Sequence, residues 1–318
     1  MPLPTDEKLL ALSQNILNQF DKVFGLHPGF RPAHAKGALL TGIFTPSSEA
    51  KSLTVAPHIQ RPSTPVTVRF SDSPGIPEIP DNDPHAAPRG MAIRFQLAPH
   101  SHTDIISHSV DAFPVRTGEE FLEFITALAT SDMSKPPDPK NPQPAEKFLG
   151  THPTALAFVQ APNPPPSSFA RQTYFAMSAF KFTDAGGNSR FGRYRIVPKA
   201  GNDFLSPEAI KTKGANYLFD EIKQRIAREP IEFRVMVQLA NTGDVTNNAT
   251  VRWPEDRKLM ELGKILLDKP VINDAAEQKQ IIFDPIPRIT GIDPSDDPLL
   301  EVRATVYLMS GRRRRAAK

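Results

Sequence analysis

The chain has 318 residues, no cysteine and a formal net charge of +3 at neutral pH. The absence of cysteine excludes disulfide bonds, thiolate metal sites and cysteine nucleophiles. Residues 312–315 are all arginine and Lys318 ends the chain, so the body that precedes them is close to neutral. We therefore predict a basic disordered tail over residues 312–318 and no nucleic-acid partner. No apolar run could span a membrane and no signal segment is visible, which predicts a cytoplasmic protein without a membrane partner.

The first predicted element is a helix within residues 5–25, where apolar residues recur at helical spacing. Asp6 and Glu7 fall in its first turn and Gly25 follows its end. Predicted strands follow at 37–44, 66–71, 91–97, 174–182, 191–197 and 231–239. Two more helices are predicted, over 206–229 with Ser206 as N-cap, and over 256–268.

Many strands joined by irregular connections predict an α+β fold in which an antiparallel barrel or sandwich has flanking helices, rather than a βαβ sheet. The 34 prolines cluster at 71–84, 134–144 and 161–168, and such stretches can link domains. Strand patterns resume after each cluster, and no segment between them has a complete core of its own. The prediction is therefore a single domain over residues 1–311 with long internal loops.

A few polar residues stand out as candidates for chemistry. His100 and His102 could form a metal pair, but their loop-like surroundings favour a surface loop. His34 precedes a predicted strand, although a buried histidine is more often structural than catalytic. Arg303 and Tyr307 lie four residues apart in the helical stretch LLEVRATVYLM, so their side chains can meet on one face.

Five motifs together resemble the haem catalases, in the same order along the chain. They are RPAHAKG (31–37), VRFS (68–71), PRGMAIRF (88–95), WPEDRKLMELGKILLD (253–268), and FDP followed by GIDPSDDPLLEVRATVY (283–307). The resemblance covers roughly residues 25–310. Because the chain is much shorter than a typical catalase, it is most similar to the small catalase-related peroxidase branch. This implies a catalase-like barrel that binds haem b and turns over peroxide.

The resemblance also implies a role for each candidate residue. Tyr307 would bind the haem iron as a phenolate, and Arg303 would hydrogen-bond the phenolate oxygen. His34 would move a proton between the two peroxide oxygens, as general base and then general acid. Ser71 would hold the orientation of the His34 ring.

Further positions concern the porphyrin and the peroxide. Arg31 and Arg69 align with arginines that pair with haem propionates. Phe121 falls where catalases place a phenylalanine against the porphyrin, although an ordinary core aromatic residue is a substantial alternative. His108 stands where catalases carry an asparagine, and it is either a second acid/base group or a side chain that points away.

Two more departures from the catalase pattern bear on the substrate. Ala33 replaces a valine beside His34, and Ala87 replaces the aspartate before P-R-G. Both changes predict a wider and less polar entrance that favours organic peroxides. Loss of the asparagine amide predicts poorer orientation of a second hydrogen peroxide molecule, and hence weak or no catalase activity.

The predicted function is a haem peroxidase that reduces hydrogen peroxide or organic hydroperoxides with a small organic electron donor, in response to oxidative stress. Two alternatives stay open: a hydroperoxide isomerase or dehydratase of the allene oxide synthase type, and a non-catalytic haem-binding protein. The sequence leaves the oligomeric state open, with a homo-oligomer as one option.

Overall fold

The computed structural model describes residues 2–132, 134–136 and 138–317. Within these ranges the strands are β1 (Gly37–Pro46), β2 (Thr64–Ser71), β3 (Gly90–Ala98), β4 (Ser101–His108), β5 (Tyr174–Phe175), β6 (Phe180–Thr183), β7 (Ser189–Pro198), β8 (Ile231–Leu239), β9 (Leu259–Pro270) and β10 (Ile292–Pro294). The helices are α1 (Glu7–Phe24), α2 (Pro57–Gln60), α3 (Gly118–Ala129), α4 (Pro144–Thr151), α5 (Pro153–Val159), α6 (Pro207–Lys211), α7 (Tyr217–Ile226), α8 (Asp274–Gln280) and α9 (Leu299–Ala316).

The strands close into an antiparallel barrel. Neighbouring strands follow the order β7-β5-β4-β3-β2-β1-β9-β8, and β8 pairs again with β7. Phe70, Ile93 and Phe233 belong to the apolar cluster that fills the barrel. Because successive residues of a strand face opposite sides, the neighbours of Phe70 on β2 and of Ile93 on β3 point outward. The predicted α+β fold with an antiparallel barrel and flanking helices is confirmed.

Helices α1, α3 and α9 pack together beside the outer face of strands β2 to β4. Ile16, Phe124 and Val306 belong to a second apolar cluster that joins these three helices. The predicted first helix is confirmed: the Asp6 carboxylate accepts from the backbone N–H groups of the first turn. Gly25 ends the helix at φ 84°, a backbone conformation that glycine adopts readily.

The predicted helix over 256–268 is wrong, because this segment forms β9. Two register positions explain the pattern: Val235 of β8 pairs with Gly263, and Met236 pairs with Glu261, so Leu262 forms a bulge. Before the bulge the buried residues of β9 have even numbers, and after it they have odd numbers. This change gives the apolar residues a spacing similar to that of a helix. Gly263 fits there because a Cβ atom would lie 2.3 Å from the carbonyl oxygen of Thr45.

Two other predicted elements are interrupted. Residues 174–182 form the separate strands β5 and β6 rather than one strand. The helix predicted over 206–229 breaks into α6 and α7 around Gly214. At the break, the Ala215 carbonyl accepts from the backbone N–H of Asp81 (2.7 Å) and from Lys36 Nζ (3.2 Å). These two contacts stabilise the break, because they bond the Ala215 carbonyl to groups outside the helix.

The histidine-rich segment was predicted as a surface loop, and it instead forms a tight connection and a strand. His100 lies in the turn between β3 and β4 at φ 62°, and His102 lies on β4 opposite Gln96. The sequence analysis therefore did not predict strand β4. It matters for function because it ends at His108.

The predicted disordered tail is also wrong for residues 312–316, which continue α9 past the boundary expected at residue 311. Arg313 pairs with Asp21 of α1, with Nη2 and Oδ1 2.9 Å apart. Arg314 is 3% exposed and donates to backbone carbonyls, including that of Ile281 at 2.6 Å. These two guanidinium groups therefore have hydrogen-bond acceptors within the protein. Lys318 lies outside the described residues. No helix in the described ranges is both long and apolar enough to cross a bilayer.

Candidate active site

A cavity of about 230 Å³ lies between the outer face of strands β2 to β4 and the helices α1, α3 and α9. All eight residues that the sequence predicts for the site line it: Arg31, His34, Arg69, Ser71, His108, Phe121, Arg303 and Tyr307. The barrel contributes side chains from alternate strand positions, which explains why residues 69 and 71 share this face. The structure thus brings together candidates from both ends of the chain.

His34 and Ser71 form a hydrogen-bonded pair in the cavity wall. Nδ1 of His34 and Oγ of Ser71 are 3.0 Å apart. Gly90 lies beneath both residues, since a Cβ atom there would be 2.6 Å from the Ser71 oxygen and 2.9 Å from the imidazole nitrogen. Glycine at position 90 therefore permits the close approach of this pair to β3.

The electrostatics of the site keep His34 neutral. Burial lowers its pKa to about 3, and the positive charges of Arg69 and Arg31 act in the same direction. His34 borders the cavity. Near neutral pH its imidazole is therefore a free base that can accept a proton from a molecule in the cavity.

His108 also lines the cavity, and its hydrogen bonding fixes its tautomer. Burial lowers its pKa to about 3, with His34 and Arg303 as further causes, so the ring is neutral. The backbone N–H of Val110 donates to Nδ1 of His108 at 3.2 Å. Because a backbone N–H can only donate, Nδ1 carries no proton and Nε2 carries one. His108 offers an N–H donor at that nitrogen.

Three arginines form a positively charged cluster at one side of the cavity: Arg31, Arg69 and Arg314. Burial lowers the pKa of Arg31 well below its usual value, and Arg69 and Arg314 lower it further. Burial lowers the pKa of Arg69 to about 9 and that of Arg314 to about 10. The carboxylates of Asp274 and Asp72 oppose these effects on Arg69 only in part, and Asp72 is already engaged with Arg89. The cluster therefore favours an anionic partner.

The end of α8 holds this cluster in place. Arg31 donates to the carbonyls of Gln278 (3.2 Å) and Ile281 (3.0 Å), and Arg314 donates to those of Lys279 (3.1 Å) and Ile281. Carbonyls at a helix C-terminus carry partial negative charge, which suits guanidinium groups. Sequence reasoning missed Arg314, although its position seven residues after Tyr307 on one helix was a usable signal.

Arg303 and Tyr307 occupy the α9 side of the cavity as their spacing predicts. Arg303 Nη2 donates to the Tyr307 hydroxyl oxygen at 3.4 Å. Phe121 of α3 packs edge-on against Phe20 at 6.0 Å between ring centroids and lies 5.4 Å from Phe113. It therefore belongs to an aromatic wall as well as to the cavity lining.

The residues present fit a haem group on three observations. A tyrosine hydroxyl beside a guanidinium can supply an oxygen ligand for iron. The arginine cluster, with its partly offset positive charge, matches the acidic side chains of a porphyrin. Apolar and aromatic side chains such as Phe20, Phe121 and Val302 offer contacts for a flat apolar ring.

Comparisons with known proteins agree with this fit. Residues 28–318 match the sequence model of the family described as Catalase. A catalase-related peroxidase of Synechococcus elongatus is 30% identical over 295 residues, covering 93% of this chain and 86% of its own. A catalase-related peroxidase of Mycolicibacterium paratuberculosis is 32% identical over 289 residues, covering 90% and 89%.

Full-length catalases are longer than this chain. The catalase of Soldanella alpina is 28% identical over 307 residues, and the match covers 60% of its length. A fungal catalase structure superposes with a TM-score of 0.77 at 20% identity, covering 90% of this chain and 59% of its own. Catalase A from Saccharomyces cerevisiae gives the same TM-score and covers 61% of its chain. This chain thus spans about three fifths of the length of these catalases.

Proposed function

Since this chain belongs to the catalase family, whose members bind haem, we propose that it is a haem b-dependent peroxidase with weak or no catalase activity. It would reduce hydrogen peroxide or organic hydroperoxides with a small organic electron donor. The observation that carries the proposal is a single cavity lined by both the His34–Ser71 pair and the Arg303–Tyr307 pair. The bacterial relatives named catalase-related peroxidase support the same branch.

When bound, haem supplies the redox chemistry, and the chain holds it. Tyr307 would ligate the iron through its phenolate oxygen, with Arg303 as hydrogen-bond donor to that oxygen. Arg31, Arg69 and Arg314 would bind the propionates, and Phe121 would pack against the porphyrin.

His34 would transfer the proton of the peroxide. In the working tautomer Nδ1 carries a proton and donates it to Ser71 Oγ, which leaves Nε2 as the base. Nε2 would take the proton of the hydroperoxide and return it to the departing oxygen, which leaves as water or alcohol. The low pKa of His34 keeps this base available near neutral pH.

His108 would bind the peroxide rather than transfer its proton. Its Nε2–H can donate a hydrogen bond to a peroxide oxygen, but a nitrogen that already carries a proton cannot take another. Ala33, Phe113, Met177 and Leu299 add apolar lining. This lining supports an organic hydroperoxide as substrate.

The test is to load the purified chain with haemin and record its absorbance spectrum before and after adding cumene hydroperoxide and a phenolic donor. We expect a Soret band that peroxide changes and the donor restores, with little oxygen release from hydrogen peroxide. His34→Gln should abolish this response. The matched control is His58→Gln, because His58 is a buried histidine that packs against Phe95 in the barrel (4.7 Å) rather than lining the cavity.

Other outcomes identify the alternatives. A ketol product formed without consumption of the donor would indicate isomerase or dehydratase chemistry. Haem that transfers to an acceptor protein and never reacts with peroxide would indicate a haem-binding protein. A chain that stays colourless after loading would overturn the cofactor and every role above.

A further inference from the structure

The backbone at His34 has an unusual conformation. Its φ angle is 57°, in the left-handed region that non-glycine residues avoid. The other non-glycine residue with positive φ among those described is His100, which lies in the turn between β3 and β4. His34 instead lines the cavity. A strained conformation at such a position persists only when its surroundings impose it.

Hydrogen bonds on both sides of the residue impose this conformation. The N–H of His34 donates to the Ser73 carbonyl at 2.7 Å. The carbonyl of His34 accepts from Arg69 Nη2 at 2.8 Å, and the same nitrogen donates to the Ala35 carbonyl at 3.2 Å. A guanidinium thus fixes the peptide planes that follow His34.

Arg69 is itself held rigidly. Its Nε donates to Gln278 Oε1 at 2.8 Å, and the Gln278 amide donates to the Gly37 carbonyl at 2.9 Å. Gly37 leaves room for the guanidinium, because a Cβ atom there would lie 2.3 Å from Arg69 Nη2. Gln278 therefore fixes the Arg69 side chain at Nε, and backbone carbonyls fix it at Nη2. The missing side chain of Gly37 provides the space that the guanidinium occupies.

We propose that Arg69 is a positioning residue for His34: it holds the left-handed backbone that aims the imidazole into the cavity. This role is additional to its place in the arginine cluster. Arg31 belongs to the same cluster, yet its donors go to the Gln278 and Ile281 carbonyls. An anion bound by the cluster is consequently linked to the backbone of His34 through the hydrogen bonds of Arg69.

The ring of His34 provides the readout. The experiment records long-range proton–nitrogen correlations of histidine side chains in ¹⁵N-labelled full-length protein saturated with zinc protoporphyrin IX, which is diamagnetic. We compare Arg69→Met with Arg31→Met, which removes a guanidinium from the same cluster. The expected result is that Arg69→Met changes the His34 signals toward averaged tautomers, whereas Arg31→Met, which removes a nearby charge but no hydrogen bond of His34, leaves the ring in a single tautomer.

A second measurement connects orientation to reaction. At equal haem occupancy, Arg69→Met should lower the second-order rate constant for cumene hydroperoxide at least about tenfold more than Arg31→Met, since small displacements of a proton-transfer group are costly. Arg69→Lys should restore part of the rate, because one ammonium can still reach a carbonyl. Gly37→Ala retains the arginine but displaces its guanidinium, so it tests the same contact if Arg69→Met does not fold.

Equal His34 signals in all variants, or equal changes in the two methionine variants, would overturn the proposal. The role of His34 as a proton-transfer group rests on the proposed function, but the NMR signals of its ring can be recorded without any reaction with peroxide. Altered His34 signals in a protein with no peroxide reaction would retain the positioning role and refute the proposed function.

Discussion

Replacing Gly90 by alanine should damage the His34–Ser71 pair directly. Ordinary contact begins near 3.4 Å, so a Cβ atom would be too close to Ser71 Oγ by about 0.8 Å and to His34 Nδ1 by about 0.5 Å. Rotation of Ser71 would relieve the first contact, but it would break a hydrogen bond worth about 1 kcal/mol. Overpacking of this kind costs about 1–3 kcal/mol. We therefore expect the free energy of unfolding to fall by roughly 2 kcal/mol.

The effect on reaction should exceed the effect on stability. A displacement of this size at a proton-transfer group can lower a rate about 10- to 100-fold. Stopped-flow measurement of the haem-loaded protein with cumene hydroperoxide gives the rate constant, and urea unfolding gives the stability. Gly192→Ala is the matched control, since its Cβ atom would lie 2.3 Å from Val237 Cγ1 within the barrel. An unchanged rate in Gly90→Ala, or an equal loss in Gly192→Ala, would refute the reasoning.

Three other changes test the site and the core. Tyr307→Phe removes the oxygen that would ligate iron, so stable haem incorporation should be lost; full occupancy with an unchanged spectrum would contradict the assignment. Arg314→Met should speed loss of haem to excess apomyoglobin, whereas Arg315→Met, an exposed neighbour, should not. Burial lowers the pKa of His58 from 6.5 to about 4, so between these values only the unfolded state gains the proton. His58 therefore causes no loss of stability above pH 6.5, and it lowers the free energy of unfolding by about 3 kcal/mol as the pH drops through this window. In urea unfolding at pH 7 and pH 4, His58→Leu should lose correspondingly less stability.

Local patterns predicted the elements that local forces determine. The strand predicted over 231–239 has the bounds of β8, and its alternate apolar residues pack in the barrel. Met236 and Gln238 on the other face are buried as well, so burial alternates only in the first half of the strand. The bounds of α1 follow from Asp6 and Gly25, which satisfy backbone groups at its ends. By contrast, β9 was wrongly predicted as a helix. The bulge at Leu262 arises from pairing with β8, and that partner is not visible in the local sequence of residues 256–268.

The site residues were found through motif resemblance rather than through local chemistry. His34 and His58 are both surrounded by protein and both have a lowered pKa, yet only His34 lines the cavity. A lowered pKa therefore does not separate them. The left-handed backbone of His34 and its contact with Arg69 depend on residues distant in sequence, so the positioning network was invisible before the fold was known.

The arginine run shows why net charge is a poor guide to a buried site. Composition assigns residues 312–315 to a solvated tail, which leaves an almost neutral body. A helix turns about 100° per residue, so consecutive arginines point in different directions. In α9 this sends Arg313 to Asp21, Arg314 into the cavity wall and Arg315 to the Gln280 carbonyl. Arg314 then joins two other guanidinium groups whose positive charge nearby carboxylates offset only in part. Such a cluster is unfavourable unless an anion is bound, so the binding of haem should raise the free energy of unfolding.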